Sequence, residues 1–154
     1  MYPIQLNLAD KQVVIIGGGK IAYRKFQQLV NEDIISLTII SKTFLPEFFE
    51  TEHPNLKLIT KTYDSKDIKK ADMIIIATND TSVNNQVKKD ALPHQLVNHT
   101  GDKTQSDFYN MPEIQYHDLK ILFRSNGTDY NKVKKVSHAV QQFLAEVYEE
   151  DKHV

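Results

Sequence analysis

The chain is predicted to be an α/β protein, a doubly wound parallel sheet followed by a small hairpin-plus-helix region. Three observations predict this. Short β-branched runs recur at Val13–Ile16, Leu37–Ile40, Leu56–Ile59, Met73–Ala77 and Leu96–Val97. Stretches with helical character lie between them. After about Asn98 that alternation stops, and two short strand patterns lead into one long amphipathic stretch. Alternating strands and helices require crossover connections, which place the strands parallel, while continuous apolar runs suit strands covered on both faces.

Taken in order, Val13–Ile16 is the first strand, and Lys20–Val30 follows as a helix with Ile21, Ala22, Phe26, Leu29 and Val30 on one stripe. Arg24, Lys25 and Gln28 occupy the opposite face. Thr43–Glu50 and Ser65–Lys70 are predicted helices after the second and third strands. Thr81–Ala91 is another, started by Asp80 or Thr81 and stopped before Pro93. His99–Ser106 is polar, contains a glycine and is predicted to be a loop leaving the carboxyl end of the fifth strand. Glu113–Tyr116 and Lys120–Arg124 are predicted to pair through His117-Asp118-Leu119. A helix from Tyr130 to Glu149, with Asp129 as its N-cap, carries an apolar stripe of Val133, Val136, Val140, Phe143, Leu144 and Val147. So thin a layer has little core of its own and must pack on the first domain or on a second copy of itself, of which the second copy is the expected partner. Residues 1–112 are expected to form the sheet-bearing domain and residues 113–154 the dimerisation region.

Composition bounds the function. The 154 residues include 40% hydrophobic and 25% charged ones, ordinary for a globular domain, with a net charge of −1. That balance lacks the basic field of a nucleic-acid binder. The apolar runs fall far short of the ~20 residues that span a bilayer, and no basic-then-apolar leader opens the chain. There is no cysteine, which excludes thiol chemistry and fits a cytoplasmic protein. The six histidines show no H-x-x-x-H or H-E-x-x-H spacing, so no metal site is expected.

The sharpest signal is Val13-Val14-Ile15-Ile16-Gly17-Gly18-Gly19-Lys20-Ile21-Ala22, a G-x-G-x-x-A pattern between a buried strand and a helix. Gly17 permits a tight turn, Gly19 lets a pyrophosphate approach bare backbone, and Ala22 keeps the helix close to the sheet. The helix start then offers free N–H groups and the positive end of the macrodipole. This is the fingerprint of a Rossmann-type dinucleotide site; a turn rich in glycine only for packing is the bland alternative. The position of the ribose contact, about 20 residues on, holds Ser41-Lys42-Thr43 with no Asp or Glu, which leaves NAD against NADP open. Thr78 and Asn79, after the fourth strand, are cofactor contacts or part of ordinary helix capping.

Together these segments resemble the dehydrogenase module of siroheme synthases, the precorrin-2 dehydrogenase family. Tyr2-Pro3-Ile4-Gln5-Leu6 leading into Val13 to Lys25, Ala77-Thr78-Asn79-Asp80 with Val83-Asn84, and Leu96-Val97-Asn98 follow the family's order. Phe108, Met111-Pro112 and Ser125-Asn126-Gly127-Thr128 continue it. The resemblance runs from residue 1 to about 145 and implies an NAD-dependent homodimer that oxidises precorrin-2, a tetrapyrrole, to sirohydrochlorin. Some family members also insert ferrous iron; here chelation is expected to be weak or absent. Carried over, Lys20 and Ile21 fall at the helix start over the pyrophosphate and Lys42 and Thr43 beside the adenosine ribose, which joins them to Gly17, Gly18, Gly19, Ala22 and Ser41 of the motif reading as the candidate cofactor residues. The family's catalytic aspartate ends an N-x-x-D segment; that register gives Gly101 here, with Asp102 one place later.

Asp102, or His99 with its near-neutral intrinsic pKa, is therefore the candidate proton acceptor, and Asp107 a possible substitute. Arg24, Arg124 and Ser125 are candidates for binding the substrate's carboxylates, arginine being suited to bidentate pairing. Two other functions compete with the enzyme: a nucleotide-sensing regulatory domain without chemistry, and a tetrapyrrole carrier derived from the dehydrogenase.

Overall fold

Five strands, β1 (Gln12–Ile16), β2 (Ser36–Ser41), β3 (Leu56–Thr60), β4 (Met73–Ile76) and β5 (Leu96–His99), form one parallel sheet in the order β3-β2-β1-β4-β5 in the computed structural model. The structure describes residues 2–126 and 129–150, without the side chains of Tyr130 and residues 148–150. Gly127 and Thr128 of the expected turn, and residues 151–154 of the expected dimerisation region, lie outside the described residues. The chain forms two compact units, one ending at Tyr109 and the other beginning at Asn110.

In the first unit, side chains alternate between the two faces of the sheet. Val13, Ile15, Leu37, Ile39 and Ile75 pack against Ala22 and Phe26 of α1 (Lys20–Gln27) and Phe48 of α2 (Glu47–Glu50). Phe26 and Phe48 stack with ring centroids 5.6 Å apart, and Tyr23 meets Phe48 edge-on at 5.0 Å. On the other face Val14, Ile16, Ile40, Ile74, Ile76 and Val97 pack against Ile68 and against Val87 of α3 (Thr81–Asp90). Burial on both sides is why the strand sequences are continuously apolar.

Three local expectations are corrected. The helix expected over Thr43–Glu50 is only the single turn Glu47–Glu50, because Leu45 N–H donates to Gly18 O (2.9 Å) and holds the preceding residues over the glycine turn. Ser65–Lys70 forms a 3-10 turn over Ser65–Ile68. Asp64 and Asp67 cap its start reciprocally, while buried Gln95 donates to the carbonyls of Ile68 (2.6 Å) and Ala71 (2.7 Å) at its end. Ile21, assigned to the apolar stripe, is 42% exposed at the front of α1.

In the second unit β6 (Glu113–Tyr116) and β7 (Leu119–Leu122) pair antiparallel across His117-Asp118, with His117 at φ +50. The connection is thus one residue shorter than expected. The helix α4 (Tyr130–Glu150) lies against β6, and Asp129 Oδ1 accepts from Lys132 N (3.0 Å), the expected cap. Among the described residues no helix is long and apolar enough to cross a membrane.

Candidate cofactor and active site

Register brings the candidate residues of the first unit to one edge. Ile16 pairs with Ile40 and Ile76, and Ile76 with His99, so Gly17, Ser41, Ala77 and Thr100 leave the sheet at the same level. This is the carboxyl edge, and between β1 and β4 the strand order reverses. Open α/β sheets bind ligands at such switch points because the two neighbouring crossovers diverge there.

The three glycines at that point do different work. Gly17 has φ +131, and a Cβ there would strike the Ala77 carbonyl. A Cβ on Gly18 would strike the Thr43 carbonyl and come within 2.9 Å of Ser41 Oγ. Both are glycines that the protein's own packing demands. At Gly19 nothing lies within 4 Å of the position a Cβ would take, and its φ of −93 suits any residue. Its bareness therefore serves no internal contact. Gly19 is also the N-cap of α1, with no side-chain cap and no acidic residue in the first turn. The outward N–H groups and the dipole's positive end meet no internal anion there among the described residues. A pyrophosphate fits this cradle, with Lys20 and Ile21 exposed at its rim and fully buried Ala22 holding the helix to the sheet. Lys42 and Thr43 are exposed and Ser41 is half-buried at the end of β2.

After β4, Thr78 and Asn84 form a fixed unit. The Thr78 hydroxyl donates to Asn84 Oδ1 (2.5 Å), and Asn84 Nδ2 donates to Thr78 O (3.0 Å). Asp80 caps α3 by accepting from Ser82 N (2.9 Å) and Val83 N (3.2 Å). Thr78 is thus held at the sheet edge, and Asn79 is exposed beside it. Asn84 is buried, and no role for it is expected from the sequence. Its signal is positional: it sits on the inward face of α3 between Val83 and Val87.

Beyond β5, His99 and Asp102 are brought together, but neither is a free base. Asp102 N–H donates to His99 Nδ1 (2.9 Å), which places the neutral ring's proton on Nε2. The ring is 3% exposed, and its buried Nε2 has no partner among the described residues. His99 is therefore a strand-end residue and not the loop residue expected. Asp102 Oδ1 accepts from the Thr104 hydroxyl (2.6 Å) and Thr104 N (2.9 Å), and Oδ2 from Gln105 Nε2 (2.9 Å). The Thr104 hydroxyl, then Gln105, lowers its pKa to about 2. Asp107 is spent on the outer edge of β5, where its carboxylate accepts from Val97 N (2.8 Å) and its own N–H donates to Val97 O (2.7 Å). Ser106 Oγ accepts from His99 N (2.8 Å) alongside. The segment after Asp102 thereby covers an otherwise bare strand edge.

Arg24 is exposed on α1, and its charge adds to burial in lowering the pKa of half-buried Lys25. Arg124 and Ser125 are exposed in the second unit, beyond β7. Among the described residues no three His, Cys, Asp or Glu side chains converge as a metal site.

Residues 4–111 match the family model described as "Putative NAD(P)-binding". The chain is similar to the precorrin-2 dehydrogenase of Bacillus subtilis (strain 168), at 29% identity over 96% of this chain and 94% of that protein. The precorrin-2 dehydrogenase of Priestia megaterium is 26% identical over 96% of this chain and 73% of its own length. A solved structure titled "SirC, precorrin-2 dehydrogenase" superposes with a TM-score of 0.82 at 25% identity, covering 92% of this chain and 70% of that one.

Proposed function

Because the chain belongs to this NAD(P)-binding family and its full-length relatives are precorrin-2 dehydrogenases, we propose that it oxidises precorrin-2 to sirohydrochlorin with NAD. The observation that carries this reading is the open backbone of Gly19 at the switch point, a glycine with no internal steric reason to be one. When bound, NAD accepts the hydride at its nicotinamide ring. Gly19, Lys20 and Ile21 seat the pyrophosphate on a turn that Gly17 and Gly18 make possible and that Ala22 holds to the sheet, Ser41, Lys42 and Thr43 flank the ribose, and Thr78 and Asn79 line the edge beyond β4.

Asp102 acts as a fixed negative charge and not as a proton store. A carboxylate with a pKa of about 2 stays ionised at neutral pH and binds a proton poorly. Loss of hydride leaves positive charge on the substrate's conjugated system, and a preorganised anion lowers the barrier to forming it. The accompanying proton leaves to water, balancing the reaction as one hydride and one proton. His99 is a positioning residue: its Nδ1 anchors the Asp102 amide. Arg24 on the first unit pairs with substrate carboxylates; Arg124 and Ser125, exposed on the second unit, are separate candidates for the same chemistry. The apolar residues exposed on α4, Val136, Phe143 and Val147, support a homodimer built through residues 113–154, with residues 1–112 binding the coenzyme. A chain without cysteine suits the cytoplasm, where the proposed enzyme works. Iron insertion is weak or absent.

Incubating the protein with precorrin-2 and NAD, and following NADH absorbance, tests the reading. Enzyme-dependent NADH formation is expected, reduced about a hundredfold by Asp102→Ala. Tetrapyrrole binding without NADH formation would favour a carrier, and full turnover by Asp102→Ala would remove that residue from the mechanism.

A further inference from the structure

Lys42 is one of several lysines without an ion pair among the described residues, and its place at the carboxyl edge of the sheet, directly after β2, sets it apart. It is exposed immediately after β2, and among the described residues it makes no ion pair. Lys61 is its neighbour across the sheet, placed there by the bond from Lys61 N to Ser41 O (2.9 Å), but Lys61 Nζ is tied to Asp67 at 2.7 Å. Asp64 and Asp67, the acids nearest this end of β3, are engaged in reciprocal capping of the next turn. No carboxylate occupies Ser41-Lys42-Thr43, and the first one downstream, Glu47, comes only after Pro46 at the start of α2.

The loop bearing Lys42 is also held at a fixed distance from the phosphate seat. Gly18 lies directly beneath the Thr43 carbonyl and Ser41 Oγ, and its own carbonyl accepts from Leu45 N at 2.9 Å. In this fold the carboxyl end of β2 faces the adenosine ribose. An acid there bonds both ribose hydroxyls and repels a 2′-phosphate; a cation without a partner does the reverse.

We infer that the carboxyl end of β2 admits a 2′-phosphorylated coenzyme, NADP, beside NAD, with Lys42 as the specificity-determining residue. This rests on the dinucleotide reading above and deepens it by assigning the adenosine end of the site. Lys42 Nζ neutralises the 2′-phosphate, and the hydroxyls of Ser41 and Thr43 are the polar groups available to either form of the ribose.

Calorimetric titration of the full chain with NAD and with NADP, in the absence of tetrapyrrole, tests this without reference to turnover. The dissociation constant for NADP is expected within about tenfold of that for NAD. Lys42→Ala should raise the NADP-to-NAD ratio of those constants about tenfold, the loss of one charge-assisted hydrogen bond at an exposed site. Lys42→Glu should raise it further, and Lys42→Arg should hold it near the wild-type value. Raising salt from low to physiological strength should weaken NADP more than NAD, since only the former adds an exposed charge pair. NADP giving no heat where NAD saturates, or a ratio that Lys42→Ala leaves unchanged, overturns the inference. No heat from either coenzyme overturns the dinucleotide reading itself, a result that the Lys42 variants do not mimic.

Discussion

Gly17 and Gly19 are two residues apart, and the same substitution should have opposite consequences at each. At Gly17, alanine must adopt φ +131, a conformation that costs roughly 1–3 kcal/mol for a residue with a Cβ. Its Cβ would also lie 2.7 Å from the Ala77 carbonyl carbon, so β1 or the start of the β4–α3 turn must shift. Overpacking of that kind costs about 1–3 kcal/mol. Gly17→Ala should therefore lose about 2–6 kcal/mol of stability, a large part of the roughly 5–15 kcal/mol typical of a domain. At Gly19 the backbone sits at φ −93 with open space where a Cβ would go. Gly19→Ala should stay within about 0.5 kcal/mol of wild type, or gain slightly by restricting the unfolded chain. Its methyl group would instead fill the space proposed for the pyrophosphate and weaken NAD binding at least tenfold, about 1.4 kcal/mol. Urea denaturation followed by circular dichroism measures the first quantity, and calorimetric titration with NAD the second. If Gly19→Ala binds NAD like wild type, the open glycine is not the phosphate seat. If it unfolds as easily as Gly17→Ala, the distinction drawn from packing is wrong.

The Asp102 carboxylate has a folded pKa of about 2, below its ordinary 3.8, so its stabilising contribution is present above about pH 4 and lost as pH falls toward 2. The gap in melting temperature between wild type and Asp102→Asn should therefore shrink across that window; a gap independent of pH would contradict the hydrogen-bond assignment. Asn84→Ala removes both bonds to Thr78 inside a buried site and should cost about 1–3 kcal/mol in urea denaturation. A loss under about 0.5 kcal/mol would mean that the Thr78 turn is held by other contacts. Phe143, 62% exposed on α4, should be covered in the proposed dimer, so Phe143→Glu should shift sedimentation from dimer to monomer at micromolar concentration. A wild-type protein that sediments as a monomer would count against the interface.

Much of this molecule was legible in one dimension. The five strands were, because a strand buried on both faces must be apolar at every position, and Val13–Ile16 and Met73–Ile76 are. The glycine turn was legible for a related reason: a tight approach of backbones tolerates no side chain, and this demand appears directly as a residue type. What the tertiary structure alone decided is where the polar groups spend their hydrogen bonds. Ser65–Ile68 winds as a 3-10 turn partly because Gln95, far along the chain, takes the carbonyls at its end. His99 Nδ1 is taken up by the Asp102 amide, and Asp102 holds so acidic a carboxyl because Thr104 and Gln105 turn back onto it. Hydrophobic periodicity repeats along the chain and can be read from it. A hydrogen-bond partner is chosen by proximity in space, and a list of residues does not contain that proximity until the chain has folded.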